Sequence, residues 1–171
     1  MIVVSSLGHS EEAFRKYRPS HVVSILDKDE PTPPVFDTLP PENHVRLVEN
    51  CSRGENTDAV VSRCSKLIDL AGRWAKGDDP KAPILIHCHL GVARSMAAAY
   101  ILLCTIEDNC CEKELAERLR KAAPHADPNL LLISEADALL GRDDRMVGAV
   151  LDLCPCCATV AAPIVTLPIA A

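Results

Sequence analysis

Short apolar runs alternate with longer amphipathic segments along this chain. The runs are rich in Val, Ile and Leu and predict buried strands, because branched side chains fit a pleated sheet; they cover 2–6, 21–27, 44–49 and 84–88. Residues 84–88 are apolar on both faces, which is typical of the centre of a parallel sheet. Elsewhere apolar residues recur every three or four positions and predict helices; these cover 11–17, 57–76, 95–105, 112–122, 129–140 and 146–152.

Strands that alternate with helices predict one α/β domain, with a central, mainly parallel sheet of about four strands flanked by helices. We expect Ser10 and Thr57 to cap the first two helices, and the prolines within 28–43 to form a loop. The domain should cover residues 1–152. Residues 153–171 are an apolar tail with three prolines, which we expect to pack back on the domain, with a dimer contact as the alternative.

Composition narrows the partners and the compartment. The formal net charge is −6, which argues against nucleic acid and anionic membranes as partners. Aromatic residues are only 3% of the chain, which argues against a base-stacking surface. Nine cysteines without a basic and apolar signal segment predict a reduced, cytoplasmic protein. No uninterrupted apolar stretch reaches the ~18 residues of a membrane span. We expect a monomer or weak dimer.

The junction between the fourth strand and the following helix carries the candidate chemistry. Cys88 ends the strand, compact residues 89–93 follow without a proline, and Arg94-Ser95 begins the helix. We call residues 88–94 the anion loop. A tight turn into a helix N-terminus can point backbone N–H groups at an anion, with Gly91 supplying the curl. Arg94 can grip two phosphate oxygens, and the same field favours a nucleophilic thiolate at Cys88.

Two other roles are open to a cysteine at this position: a buried structural thiol and a metal ligand. Residues 87 and 88 are adjacent on a strand and point to opposite faces, so they cannot easily share one ion. Structural zinc usually needs four ligands from paired motifs. The Cys154–Cys157 segment has one such spacing without a matching pair, and Cys110-Cys111 could complete a site only in principle. We therefore expect no metal and no cofactor.

The segment His87-Cys88-x5-Arg94-Ser95 resembles the signature of the cysteine-dependent protein tyrosine and dual-specificity phosphatases. The likeness extends over roughly residues 1–150. It is carried by the segments 21–27, 44–49, Pro128-Asn129 and 141–147, and it points to a compact bacterial branch of that superfamily. It implies a metal-independent phosphatase domain over residues 1–152, acting on phosphotyrosine-like monoesters, with dual specificity as an option, through a phosphocysteine intermediate.

The resemblance also implies residue roles. Cys88 would attack phosphorus, and Arg94 with the amides of His89, Leu90, Gly91, Val92 and Ala93 would bind the phosphate oxygens. The Ser95 hydroxyl would ease departure of the Cys88 sulfur. His87 would orient the loop from behind, with an ordinary core histidine equally consistent. The side chain of His89 is expected to face solvent.

One element of the family pattern is missing. The family has an aspartate that protonates the leaving oxygen, on the loop before the helix that precedes the signature. Asn50 stands at that position. Glu49, Glu55 and Asp58 are the candidate substitutes, although an acid in the first turn of a helix, as at Asp58, commonly serves only the helix.

The missing aspartate leaves two classes of function open. The chain is either a phosphatase for a phosphorylated protein or a small phosphomonoester, or a phosphate-binding module with weak or no turnover. A sulfurtransferase or arsenate reductase is disfavoured by the loop length and by Arg94-Ser95. Phosphoinositide phosphatases of the superfamily tend to place lysines in this loop, whereas this one has only His89, which favours phosphoprotein.

Overall fold

The computed structural model describes residues 1–49, 56–77, 82–157 and 162–169. Its strands are β1 Ile2–Ser6, β2 His21–Asp27, β3 His44–Glu49, β4 Ile84–Cys88 and β5 Val165–Leu167. Its helices are α1 Leu7–Tyr17, α2 Thr57–Lys76, α3 Arg94–Ile106, α4 Glu112–Ala122, α5 Leu130–Leu140 and α6 Arg145–Leu151. Two 3₁₀ helices, Pro34–Thr38 and Pro41–Asn43, lie within the proline-rich loop. None of these described helices is long and apolar enough to cross a membrane.

The starts of the first two helices differ from the sequence expectation. Helix α1 begins at Leu7, directly after β1, so Ser10 is buried inside it and its hydroxyl donates to the Leu7 carbonyl at 2.7 Å. Helix α2 does begin at Thr57, but its cap is the preceding residue. The side chain of Asn56 accepts a hydrogen bond from the N–H of Asp58 at 3.0 Å, which satisfies one of the free donors of the first turn.

The strand order is β3-β2-β4-β1-β5, with the first four strands parallel and β5 antiparallel to β1. This confirms the predicted α/β class and its mainly parallel sheet. The fifth strand was not predicted, and it comes from the apolar tail, where Leu167 pairs with Ile2. Because β4 lies between β1 and β2, Cys88 pairs with Ser6 on one side and Ile25 on the other. Ligands of such sheets bind at this carboxyl edge.

Apolar packing on both faces fixes the strand and helix that flank the anion loop. Every residue of β4 is buried. Ile84, Ile86 and Cys88 face the larger core, which includes residues of α2, α3 and α5, whereas Leu85 faces a smaller core that includes Phe36. Residues 95–104 of α3 are all buried. A segment buried on all sides cannot shift without losing about 1.5–3 kcal/mol for each large side chain exposed, so the loop has rigid ends.

Candidate active site

The sulfur of Cys88 lies at the base of the anion loop, within reach of two donors. Cys88 is only 2% exposed. The backbone N–H of Gly91 donates to its sulfur at 3.3 Å, and the hydroxyl oxygen of the buried Ser95 lies 3.1 Å from the same atom. These contacts bring together a nucleophilic atom and two groups that can stabilise negative charge on it.

Three carbonyl groups of the anion loop accept hydrogen bonds from the surrounding scaffold. The bonds are Leu7 N–H to His89 O at 3.2 Å, Asp127 N–H to Val92 O at 3.0 Å and Asn129 N–H to Ala93 O at 3.3 Å. In a trans peptide the next N–H points away from the carbonyl, and the described chain has no cis bond. The N–H groups of Leu90, Ala93 and Arg94 therefore point away from the scaffold, and that of Gly91 points at the sulfur.

Gly91 is required at its position by both conformation and space. Its φ of 75° lies in the left-handed region, where a side chain is strained. A Cβ added there would lie 2.8 Å from the backbone nitrogen of Ser6 and 3.0 Å from the carbonyl carbon of Ser5. Both contacts are to backbone at the end of β1, which cannot move aside cheaply. The loop can curl this tightly against β1 only because residue 91 has no side chain.

Arg94 begins α3 and turns its guanidinium toward the end of β2. Its Nη1 lies 3.3 Å from Oδ1 of Asp27. The Arg94 side chain is 17% exposed and that of Asp27 is 41% exposed. Sequence reasoning missed Asp27, because only the neighbouring positions of β2 and β4 bring the end of β2 to the loop. A carboxylate at this distance orients the guanidinium.

Asp27 also opens a tight turn over residues 27–30, which we call the acidic turn. The Glu30 N–H donates to the Asp27 carbonyl at 3.2 Å, and the Asp27 N–H donates to Oε2 of Glu30 at 3.1 Å. Arg46 of β3 fixes the turn from behind, since its Nη2 donates to the carbonyls of Asp27 at 3.0 Å and Glu30 at 2.6 Å. Oε1 of Glu30 contacts Nδ1 of His89 on the anion loop. Sequence reasoning missed Glu30 and Arg46 as well.

His87 lies in the smaller core, on the face of β4 opposite to Cys88. Its Nε2 is 2.7 Å from the Ser24 hydroxyl, which is 2.9 Å from Nε2 of His44, and the ring packs beside Phe36 with centroids 5.4 Å apart. Burial, with smaller contributions from His44 and Arg46, lowers the pKa of His87 to about 3. A neutral imidazole here supports β4 from behind rather than reaching an anion.

The described residues place one of the candidate acids. Asp58 lies in the exposed first turn of α2, where its backbone is capped by Asn56. Glu49 is the last residue of β3; its side chain, and all of Asn50 and Glu55, lie outside the described residues. Within the described ranges no group of three or more His, Cys, Asp and Glu side chains is placed to hold a metal ion.

Comparison with known proteins gives a match in structure. No family model and no curated protein sequence matches the chain. Among solved structures, the PTP-2 phosphatase of Cydia pomonella matches with a TM-score of 0.60 at 17% identity, over 80% of this chain and 84% of that one. The human tyrosine phosphatase-like serine/threonine/tyrosine-interacting protein matches with a TM-score of 0.63 at 12% identity, over 83% of this chain and 92% of that one. PTPMT1 in complex with PI(5)P matches with a TM-score of 0.59 at 13% identity, over 84% of this chain and 94% of that one.

These likenesses concern the fold. Each covers at least 80% of this chain, so the likeness extends over most of its length. The chain therefore has the fold of the tyrosine and dual-specificity phosphatases, as the signature predicts. The bacterial branch and the residue roles stay predictions.

Gly91→Ala tests the geometry of the anion loop. The variant should lose most of its affinity for vanadate in calorimetry and unfold at lower urea concentration, since it adds left-handed strain of about 1–2 kcal/mol and a backbone clash. Gly141→Ala is the matched control: its φ is 63°, but nothing lies within 4 Å of the added Cβ. The Gly141→Ala variant should lose stability only through a comparable left-handed strain, and it should keep its affinity for vanadate. Equal vanadate binding in all three proteins would contradict the geometry.

His87→Gln tests the buried imidazole through the pH dependence of stability. An unfolded chain protonates His87 below its ordinary pKa of about 6.5, whereas the folded protein does so only below a pKa of about 3. The unfolded state therefore binds the extra proton, and stability falls with falling pH by about 1.4 kcal/mol per unit across this window. Between about pH 6 and 4, the free energy of unfolding of the variant, measured with urea, should fall less steeply with falling pH than that of wild type. The difference in slope should correspond to the uptake of one proton on unfolding. An unchanged slope would contradict the buried neutral state.

Proposed function

We propose that this chain is a metal-independent phosphatase that hydrolyses phosphotyrosine-like phosphomonoesters through a phosphocysteine intermediate. One observation carries the proposal: the Cys88 sulfur lies under a loop in which the amides of Leu90, Ala93 and Arg94 face away from the scaffold, with Arg94 and Ser95 at the helix start. The phosphatase fold supports it. The substrate is a phosphorylated protein or a small phosphomonoester.

In the first step the Cys88 thiolate attacks phosphorus and the bond to the leaving oxygen breaks. The outward amides of the anion loop and the guanidinium of Arg94 hold the three equatorial oxygens, where charge spreads in the transition state. Asp27 keeps the guanidinium at the loop. Since the protein supplies fixed dipoles and charges, little reorganisation accompanies the reaction.

In the second step water attacks the phosphocysteine, and the bond between sulfur and phosphorus breaks. The sulfur leaves with the electron pair of that bond. The Ser95 hydroxyl, 3.1 Å from the sulfur, donates to it as charge develops, and the Gly91 N–H does the same. Inorganic phosphate and the starting thiolate result.

The residues around the loop favour a phosphoprotein over a polyanionic lipid headgroup. The loop itself carries no lysine. The acidic turn at its edge holds Asp27, Asp29 and Glu30 against the single lysine Lys28, so a second or third phosphate on the substrate would meet a net negative charge there. PTPMT1 is described in complex with PI(5)P, so a phosphoinositide belongs in a substrate panel as the contrasting case.

The alternative function is a phosphate-binding module with weak or no turnover. Asn50, in place of the expected aspartate, is the observation that favours it, because general acid catalysis contributes roughly 10²–10⁴-fold. Glu49, Glu55 and Asp58 are the sequence candidates for the lost function. A binding module would bind vanadate tightly and leave 4-nitrophenyl phosphate unchanged.

Cys88→Ser tests the nucleophile. Wild-type protein should hydrolyse 4-nitrophenyl phosphate in excess EDTA and be inhibited by vanadate, and the variant should lose turnover, since serine is far less ionised than cysteine near neutral pH. Cys111→Ser, at an exposed cysteine before α4, is the control and should behave as wild type. Turnover that survives in Cys88→Ser, or disappears with EDTA, would overturn the mechanism.

Ser95→Ala tests the departure of the sulfur. Loss of a hydrogen bond to a charged group costs about 1.5–3 kcal/mol, which corresponds to roughly 10–100-fold slower hydrolysis of the phosphocysteine. Stopped-flow measurement should then show a burst of nitrophenolate followed by slow turnover. A variant that slows the burst and the steady state equally would show that Ser95 acts elsewhere.

A further inference from the structure

We infer that His89, oriented by Glu30, exchanges the proton of the leaving group in place of the absent aspartate. This inference rests on the proposed phosphatase function and deepens it. His89 is the first residue after the nucleophile, and its side chain is 55% exposed at the rim of the anion loop. Glu30 is a positioning residue on the acidic turn.

The two oxygens of Glu30 have separate tasks. Oε2 accepts the N–H of Asp27 at 3.1 Å, and Oε1 contacts Nδ1 of His89. The turn that holds this carboxylate is itself fixed, because Arg46 donates to the carbonyls of Asp27 and Glu30. The backbone of the acidic turn therefore orients the Glu30 carboxylate independently of its contact with the His89 imidazole.

A carboxylate on Nδ1 assigns the proton of that nitrogen. Nδ1 donates to Glu30, which leaves Nε2 as the atom that gives or takes a proton, as in other pairs of a base and an orienting acid. An imidazole nitrogen can donate a proton in one step and accept one in the next, which a group that exchanges the leaving-group proton must do.

Three other titratable residues that the structure describes, Asp27, Asp58 and His87, fit this role less well. Asp27 faces the guanidinium of Arg94 at 3.3 Å, an arrangement that suits holding a cation more than donating a proton. Asp58 lies in the first turn of α2, where an acid serves the helix. His87 lies on the opposite face of β4 from the sulfur.

The proton balance closes over the two steps. In the first, Cys88 sulfur bonds to phosphorus, the leaving oxygen takes the electron pair of its broken bond, and Nε2 of the imidazolium gives it a proton. In the second, neutral Nε2 takes a proton from water, whose oxygen attacks phosphorus as the Cys88 sulfur leaves. The imidazolium and the thiolate are both restored.

Other titratable groups surround the pair. Besides Glu30, the loop and the elements packed on it carry charged or titratable groups at Asp27, Lys28, Asp29, Arg46, Cys88, Arg94, His9, His125 and Asp127. All of them stay in place in His89→Gln and Glu30→Gln. The difference between the pH profile of each variant and that of wild type therefore isolates the pair.

The experiment compares kcat/KM for 4-nitrophenyl phosphate and phenyl phosphate across pH. Phenolate leaves poorly and depends on proton donation, whereas nitrophenolate depends on it far less. His89→Gln should lower kcat/KM for phenyl phosphate on the order of 10²-fold, with a much smaller loss for 4-nitrophenyl phosphate. His89→Gln should also remove the decrease of kcat/KM for phenyl phosphate on the alkaline side of the pH profile. Glu30→Gln should shift the pH at which this decrease occurs and lower kcat/KM for phenyl phosphate by about 10-fold.

Four further variants complete the test. Glu11→Gln breaks an exposed ion pair with Arg15 on α1 and should match wild type on both substrates. Glu49→Gln, Glu55→Gln and Asp58→Asn should also keep the wild-type ratio between the substrates. Vanadate affinity, measured for every variant, reports whether the loop keeps its shape.

Two results overturn the inference while leaving the phosphatase in place. One is an equal loss on both substrates in His89→Gln, which indicates a purely structural role. The other is a loss specific to phenyl phosphate in Glu49→Gln, Glu55→Gln or Asp58→Asn instead. If wild type binds vanadate but hydrolyses neither substrate, the proposed function fails, and the inference fails with it.

Discussion

The orientation of the peptide groups in the anion loop is the constraint on which the rest of the site depends. Carbonyls of His89, Val92 and Ala93 are bonded to the scaffold, so the following amides point away from it. Gly91 makes this possible, because any side chain there would clash with backbone of β1. A set of amides fixed in this way needs no rearrangement to bind an oxyanion, and it places one N–H on the Cys88 sulfur.

The position of β4 at the centre of the sheet explains how separate segments reach this loop. β4 pairs with β1 and β2, and parallel strands end at one edge. The start of α1 therefore bonds the loop from one side and the acidic turn approaches from the other. The same arrangement gives the two histidines beside Cys88 different environments: His87 is buried and neutral behind the sheet, and His89 is exposed at the rim with a carboxylate on its ring.

Much of the architecture was predictable because it depends on local pattern. The bounds of the first four strands follow from their branched apolar runs, and those of the α2 and α4 helices follow from apolar spacing and flanking cap or turn residues. The bend of the loop follows from Gly91 between a strand and a helix. The start of α1 was missed because Ser10 has the chemistry of a cap but lies within the helix. β5 was missed because a three-residue strand between prolines has too few residues to show alternation.

The sequence by itself determined the fold class and predicted the pair Cys88 and Arg94, since a cysteine at a strand end, a loop without proline and a helix start are all local features. Only the tertiary structure brought Asp27 to Arg94 and Glu30 to His89. Those contacts join residues 67 positions apart in one case and 59 in the other. They exist because β2 was placed beside β4 in the sheet, and strand order is set by how the helices pack their apolar faces, which no local pattern specifies.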